Sequence, residues 1–172
     1  FCMLNDQAIG ARYLQAAGLA QKILIVDLDV HQGNGTAEIF AGDDSVFTFS
    51  MHGAANYPFK KETSDLDIEL DDDISDEAYL SILKETLPKL IRTHQPDFIF
   101  YLSGVDVLAT DKLGKLGLTI NGCMERDRFV LETCKTNNIP VVCSMGGGYS
   151  ADIKIIIEAH ANTFRLAQDL FF

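Results

Sequence analysis

The segment Ile23–Thr36, ILIVDLDVHQGNGT, constrains the fold of this chain more than any other part of the sequence. A short apolar run ends in Asp27, Asp29 and His31 at alternate positions and then enters a glycine-rich loop. Alternate residues of a strand point to one face, so we expect two carboxylates and an imidazole to converge where the strand ends. Open α/β sheets place their sites at that edge. Because burying such groups together is costly without a neutralising cation, the pattern predicts a metal site.

Apolar strands alternate with helical patterns along the whole sequence. The predicted strands are Lys22–Asp29, Ser45–Met51, Asp97–Ser103 and Pro140–Ser144, and the predicted helices are Leu4–Leu19, Gly35–Phe40, Ser75–Arg92, the acid- and base-rich Gly122–Asn137, and Ala151–Phe171. The acidic stretch Asp65–Glu77 is predicted to be a solvated connection that leads into a helix. Near-continuously apolar strands are typical of a parallel sheet covered by helices on both faces. The sequence therefore predicts one α/β domain over residues 1–172.

Charge and cysteine content narrow the class of protein. A formal net charge of −11 disfavours a nucleic-acid partner, because phosphate binding needs a basic surface. The sequence shows neither a membrane-spanning stretch nor a signal peptide, so a membrane is not an expected partner. Four cysteines without a CxxC pair are typical of reduced, packed thiols, which predicts a cytoplasmic protein, or a nuclear one in a eukaryote.

Three of the predicted strands are followed by chemically active residues. The first leads to Asp29 and His31, the third to Asp106, and the fourth to Tyr149. The carboxyl ends of parallel strands lie along one edge, so one crevice could hold all four. Two carboxylates and an imidazole with an open fourth position match the ligand count of a catalytic zinc, and ferrous iron suits the same ligands.

The segment before Tyr149 consists of glycines. The Tyr149 hydroxyl could donate a hydrogen bond to the oxyanion that forms when water attacks an amide. The glycines, Gly147 among them, would let substrate approach the backbone closely. The alternatives are ordinary ones: Asp106 as a turn residue, Tyr149 as a loop-packing aromatic, and Asp27 as a helix cap or turn residue. A phosphate loop at Gly33-Asn34-Gly35 is disfavoured, because GxGxxG is incomplete and the neighbouring acids would repel phosphate.

Together these motifs resemble the histone deacetylase superfamily, which includes the acetylpolyamine amidohydrolases. The resemblance runs nearly end to end through FCMLND, VDLDVHQGNGT, FSMH, NYPF, KETSDLDI, SGVDVLATDKLGKLGLT and MGGGYS, and the KETSDLDI segment favours the class IV-like and bacterial members. It implies the three-layer arginase/deacetylase fold. It also implies zinc-dependent hydrolysis of acylated lysine in peptides and proteins, or of acylpolyamines, by metal-activated water.

The resemblance also assigns roles to individual residues. It places the zinc ligands at Asp29, His31 and Asp106 and the residue that stabilises the tetrahedral intermediate at Tyr149. The partners of the family's catalytic histidine pair correspond to Asp27 and Asn34. A structural potassium ion is implied at Asp27, at Asp29 and His31 through backbone or side-chain oxygens, and at Ser50 and Met51. The walls of the acyl-lysine tunnel are implied at Phe1 and Tyr57.

One part of the family pattern is not found. The adjacent histidines that act as general base fall before Phe1 in the family, and the sequence opens FCMLND without an initiator Met. We therefore expect a partial deacetylase domain, the C-terminal portion of a longer protein, that is severely impaired in hydrolysis by itself. The alternatives are a catalytically dead module that binds acylated amines, and an arginase-like hydrolase with two manganese ions.

Overall fold

Five parallel strands form one sheet in the computed structural model, which describes residues 3–172. In chain order the elements are α1 (Asp6–Ala16), β1 (Ile23–Asp27), α2 (Asn34–Ile39), β2 (Val46–Gly53), β3 (Leu66–Leu70), α3 (Asp76–His94), β4 (Phe98–Gly104), α4 (Ile120–Thr136), β5 (Val141–Gly146) and α5 (Ile153–Phe171). The strand order across the sheet is β3-β2-β1-β4-β5. The predicted parallel α/β fold is confirmed. The predicted substrate contact of Phe1 lies outside the described residues.

Helices cover both faces of the sheet, and the central strand β1 shows why. All five of its residues are buried. Leu24 and Val26 belong to a core that includes buried residues of α3, α4 and α5. Ile23 and Ile25 belong to a second core with residues of α1 and with Phe40, which directly follows α2. Successive strand residues face opposite sides, so a continuously apolar strand needs cover on both. The fold is therefore the predicted three-layer arrangement.

The acidic stretch contains a strand that the sequence interpretation missed. Leu66–Leu70 forms β3 and pairs in parallel with β2, so the prediction of a solvated connection was wrong for these residues. Leu70 is buried in the core, and Leu66 and Ile68 pack against it. The intervening acids, Asp67 and Glu69, concealed this alternation, which is the ordinary signal of a strand with one covered face. Within residues 3–172, no helix is long and apolar enough to cross a membrane.

Candidate metal centre

The chain leaves β1 through two carboxylate-capped turns. β1 ends at Asp27, so the prediction that the strand continues to Asp29 was wrong. The Asp29 amide donates to Asp27 Oδ1 at 3.1 Å, and the His31 amide donates to Asp29 Oδ1 at 2.9 Å. An aspartate that binds the amide two residues ahead competes with a strand ladder and bends the chain. The DxDxH spacing therefore reflects two successive turns rather than one face of a strand.

These turns bring together the three residues predicted as metal ligands. His31 Nδ1 lies 3.0 Å from Asp29 Oδ1 and 3.3 Å from Asp106 Oδ2. The candidate ligand atoms all lie within 4.8 Å of one another. Asp106 follows β4 and is only 1% exposed, and its second oxygen accepts the Val30 amide at 3.1 Å. Two neighbouring strands, β1 and β4, therefore deliver two carboxylates and an imidazole to one point.

The electrostatics of this cluster favour a cation. Hydrogen bonds to Asp106 and Asp29 raise the pKa of His31 to about 10. Burial raises the pKa of Asp106, and burial and the neighbouring Asp29 raise the pKa of Asp27. A proton on His31 is thus held by the two carboxylates between which a metal ion would lie. A divalent cation can replace that proton, with all three side chains as ligands and a further coordination position left for water or substrate.

Three glycines pack directly against the aspartates. A Cβ on Gly104 would lie 2.5 Å from Asp29 Oδ2, and Cβ atoms on Gly33 and Gly147 would meet the carboxylates of Asp27 and Asp106. Gly147 also has a φ of +55°, a backbone conformation that residues other than glycine rarely adopt. Gly147, which the sequence interpretation assigns to the substrate-binding residues, thus lies against Asp106.

The residues predicted for a potassium site do not all present side chains to one place. Asp27 is buried and borders a small depression together with Gly33 and Ser50. The Ser50 hydroxyl accepts the Gly33 amide at 3.4 Å. The Met51 side chain packs in the core beneath the opposite face of the sheet, so only its backbone could contribute. Asn34 is the first residue of α2, and its amide donates to the Gln32 carbonyl at 2.8 Å.

Tyr149 lies beside a cavity of about 350 Å³. It is 40% exposed, and its amide donates to Asp111 Oδ2 at 2.5 Å. The cavity lining also includes Leu113 and Ile156, which the sequence interpretation did not single out although Leu113 belongs to the quoted DKLG motif. Tyr57 is exposed and lies edge-on to a neighbouring ring, and it does not line this cavity.

Comparisons with known proteins agree with this architecture. A family model described as histone deacetylase domain matches residues 1–164. The chain is 49% identical to an uncharacterized protein of Picosynechococcus sp., over 99% of this chain and 57% of that protein. It is 30% identical to histone deacetylase 2 of Arabidopsis thaliana, over 96% of this chain and 44% of that protein.

Two solved structures give the same result for the fold. The HDA15 HD domain superposes with a TM-score of 0.81 at 27% identity, over 98% of this chain and 51% of that one. An acetylpolyamine aminohydrolase from Burkholderia pseudomallei superposes with a TM-score of 0.78 at 26% identity, over 95% of this chain and 49% of that one. The chain thus spans about half the length of the relatives it matches.

Proposed function

The chain belongs to the histone deacetylase family, and from this membership we propose that it carries the metal site of an enzyme that removes acyl groups from amines. The proposed substrates are acylated lysine in peptides or proteins, and acylpolyamines. The observation that carries the proposal is the meeting of Asp29, His31 and Asp106 at the ends of two adjacent parallel strands. The cluster combines hard carboxylate oxygens with one imidazole and so supplies three ligands, one fewer than a tetrahedral zinc ion takes.

The ligand set suits a single divalent ion, for which we propose zinc, with ferrous iron as the alternative. Asp29, His31 and Asp106 would hold it. Such an ion, when bound, would polarise the carbonyl of the substrate amide and lower the pKa of a bound water molecule. Within residues 3–172, this is the one cluster of at least three potential ligands, which favours a mononuclear site over an arginase-like pair of manganese ions.

The chain's own residues supply positioning and hydrogen bonding. Asp27 accepts the Asp29 amide and so holds the first turn in place. We assign Tyr149 the role of hydrogen-bond donor to the developing oxyanion. Tyr149 borders a cavity that is also lined by Lys112, Leu113 and Ile156 but by none of the three proposed ligands. The apolar part of this cavity suits an acylated amine whose aliphatic stem is uncharged. The depression between Asp27 and Ser50 is our candidate for the monovalent cation.

The proposed hydrolysis also needs a general base that accepts a proton from the attacking water, and histidine is the usual residue for this role. Three further histidines lie in residues 3–172, and each is engaged outside the cluster: His52 with the Ser50 hydroxyl at 2.9 Å, His94 against the Phe47 ring at 3.8 Å, and His160 with the Gly147 carbonyl at 3.4 Å. A general base typically contributes about 10²–10⁴-fold to the rate. We therefore propose that residues 1–172 alone turn over far more slowly than the full-length protein, which a single deacylation assay on both would measure.

The test of the proposed function is Asp29→Ala in the full-length protein, with Asp72→Ala as control because Asp72 is exposed in the acidic stretch. Zinc content and deacylation of an acetyl-lysine peptide and an acetylated polyamine are measured for both. We expect Asp29→Ala to lose bound zinc and turnover, and Asp72→Ala to retain them. Wild-type turnover in Asp29→Ala would refute the ligand assignment. Metal and peptide binding without turnover in the wild-type protein would indicate a binding module instead.

A further inference from the structure

A fully buried guanidinium joins the two strand ends that carry the candidate metal ligands. Arg126, in α4, is 0% exposed, and its Nη1 donates to the carbonyls of Leu28 at 3.1 Å and Gly104 at 2.7 Å. Leu28 immediately precedes Asp29, and Gly104 lies two residues before Asp106. We propose that Arg126 is a positioning residue that sets the separation of Asp29 and Asp106 before metal binds. This inference rests on the metal site of the proposed function.

The two carbonyls need such a donor because the sheet ladder stops short of them. The pairing of β1 with β4 ends at Asp27 opposite Leu102. The Leu28 amide still donates to the Leu102 carbonyl at 3.1 Å, but the chain then bends away through the carboxylate-capped turns. A buried carbonyl without a donor is costly. Arg126 bonds both carbonyls with one nitrogen and so takes the place of the next rung of the ladder.

The Gly104 end of this bridge is in contact with a ligand. A Cβ on Gly104 would lie 2.5 Å from Asp29 Oδ2 and 2.7 Å from Asp29 Cα, so Asp29 rests directly on the Gly104 backbone. A displacement of Gly104 toward Asp29 would therefore displace this ligand. By holding the Gly104 carbonyl, Arg126 fixes the surface on which one ligand lies and the strand end from which the other follows.

Arg126 is itself anchored by the neighbouring carboxylate. Its Nε donates to Asp127 Oδ1 at 2.9 Å, and its Nη2 lies 2.8 Å from the same oxygen as an ion pair without a hydrogen bond. Asp127 also accepts hydrogen bonds from the Tyr101 hydroxyl in β4 at 2.5 Å and the Thr163 hydroxyl in α5 at 2.6 Å. A buried ion pair contributes little net stability because both charges are desolvated, so stability alone explains this network poorly. A planar fork of donors that bonds several acceptors at once is a property of arginine that lysine lacks.

The test compares zinc affinity in the full-length wild type and in three variants, by competition with a fluorescent chelator. Arg126→Lys keeps the charge but not the fork, and Arg126→Gln removes the charge. Tyr101→Phe is the matched control, because it removes a hydrogen bond from the same buried network without touching either carbonyl. We expect both Arg126 variants to weaken zinc binding about 10–100-fold, as loss of an outer-sphere partner does. We expect Tyr101→Phe to lower the thermal midpoint while the zinc dissociation constant stays within about threefold of wild type.

The outcomes separate this inference from the proposed function. A wild type that binds no zinc would refute the metal site, and the role of Arg126 with it. Zinc binding of equal strength in wild type and both Arg126 variants would overturn the positioning role alone, as would an equal loss in Tyr101→Phe. If neither Arg126 variant folds, amide hydrogen exchange of the metal-free wild type decides. Slow exchange at Val30, whose amide donates to Asp106, is expected of a site held in place before metal binds, and fast exchange there would overturn the inference.

Discussion

Zinc binding should release a proton from His31, and the structure gives the size of the effect. The imidazole Nδ1 lies 3.0 Å from Asp29 and 3.3 Å from Asp106, and these contacts raise its pKa to about 10. At pH 7, about three units lower, almost every metal-free molecule carries this proton, yet a metal requires the neutral ring. Its removal costs about 4 kcal/mol at pH 7 and about 1.4 kcal/mol less for each unit of higher pH.

The zinc association constant should therefore rise about tenfold per pH unit between about pH 7 and pH 9, with about one proton released per zinc bound. Isothermal titration calorimetry in two buffers of different ionisation enthalpy measures both quantities. His94→Gln serves as the control, because His94 stacks against Phe47 and should not change the proton count. An affinity that does not vary with pH, with no proton released in either buffer, would show that His31 is neutral without metal and would refute the electrostatic argument.

Three further substitutions test the packing around the site and the sheet. Gly147→Ala should weaken zinc binding at least about tenfold, since its Cβ would meet the Asp106 carboxylate. The control Gly42→Ala is also at positive φ but in open space, so it should cost only about 1 kcal/mol of stability and leave zinc affinity unchanged. Equal zinc affinities in the two variants would contradict this prediction. Leu83→Ala, at a fully buried position, should lower the free energy of unfolding in urea by roughly 3 kcal/mol, and a loss below about 1 kcal/mol would be incompatible with that burial. Asp97→Asn should cost about 1 kcal/mol at pH 7, because the backbone amides of Lys22 and Gln21, just before β1, lower the pKa of Asp97 from 3.8. This difference in stability should persist above the ordinary pKa and disappear as the pH falls through the lowered one. A difference independent of pH would exclude the carboxylate as its source.

The sequence predicts the sheet and the ligand cluster because both depend on short-range patterns. Apolar runs such as that of β1 reveal buried strands directly, and the rule that parallel strands end at one edge brings Asp106 to His31 without any structure. The same reasoning fails at β3, where Asp67 and Glu69 outweigh an alternation of three apolar residues. It also misplaces the end of β1, because strand alternation and two aspartate turns produce the same two-residue spacing.

Arg126 shows a different limit of sequence reasoning. The helix that contains it is rich in acids and bases, which is typical of a solvated face, and neighbouring Arg128 is indeed partly exposed in an ion pair with Glu125. Nothing in the local sequence distinguishes the two arginines. The partners of Arg126 are carbonyls of Leu28 and Gly104, and backbone carbonyls leave no mark on the sequence. Its burial follows only from the packing of α4 against the ends of β1 and β4.

The placement of the proposed metal ligands explains why such positioning residues are needed. Asp29, His31 and Asp106 all lie in loops beyond the ends of strands, so no ladder of hydrogen bonds holds them. Their geometry must come from side chains that cap the turns, from glycines that allow close packing, and from Arg126. Metal affinity depends on that geometry more steeply than the stability of the fold does. Substitutions just outside the ligand set should therefore weaken zinc binding while the protein stays folded. Substitutions in the two cores should lower the stability of the fold and leave the zinc affinity of the folded protein largely unchanged.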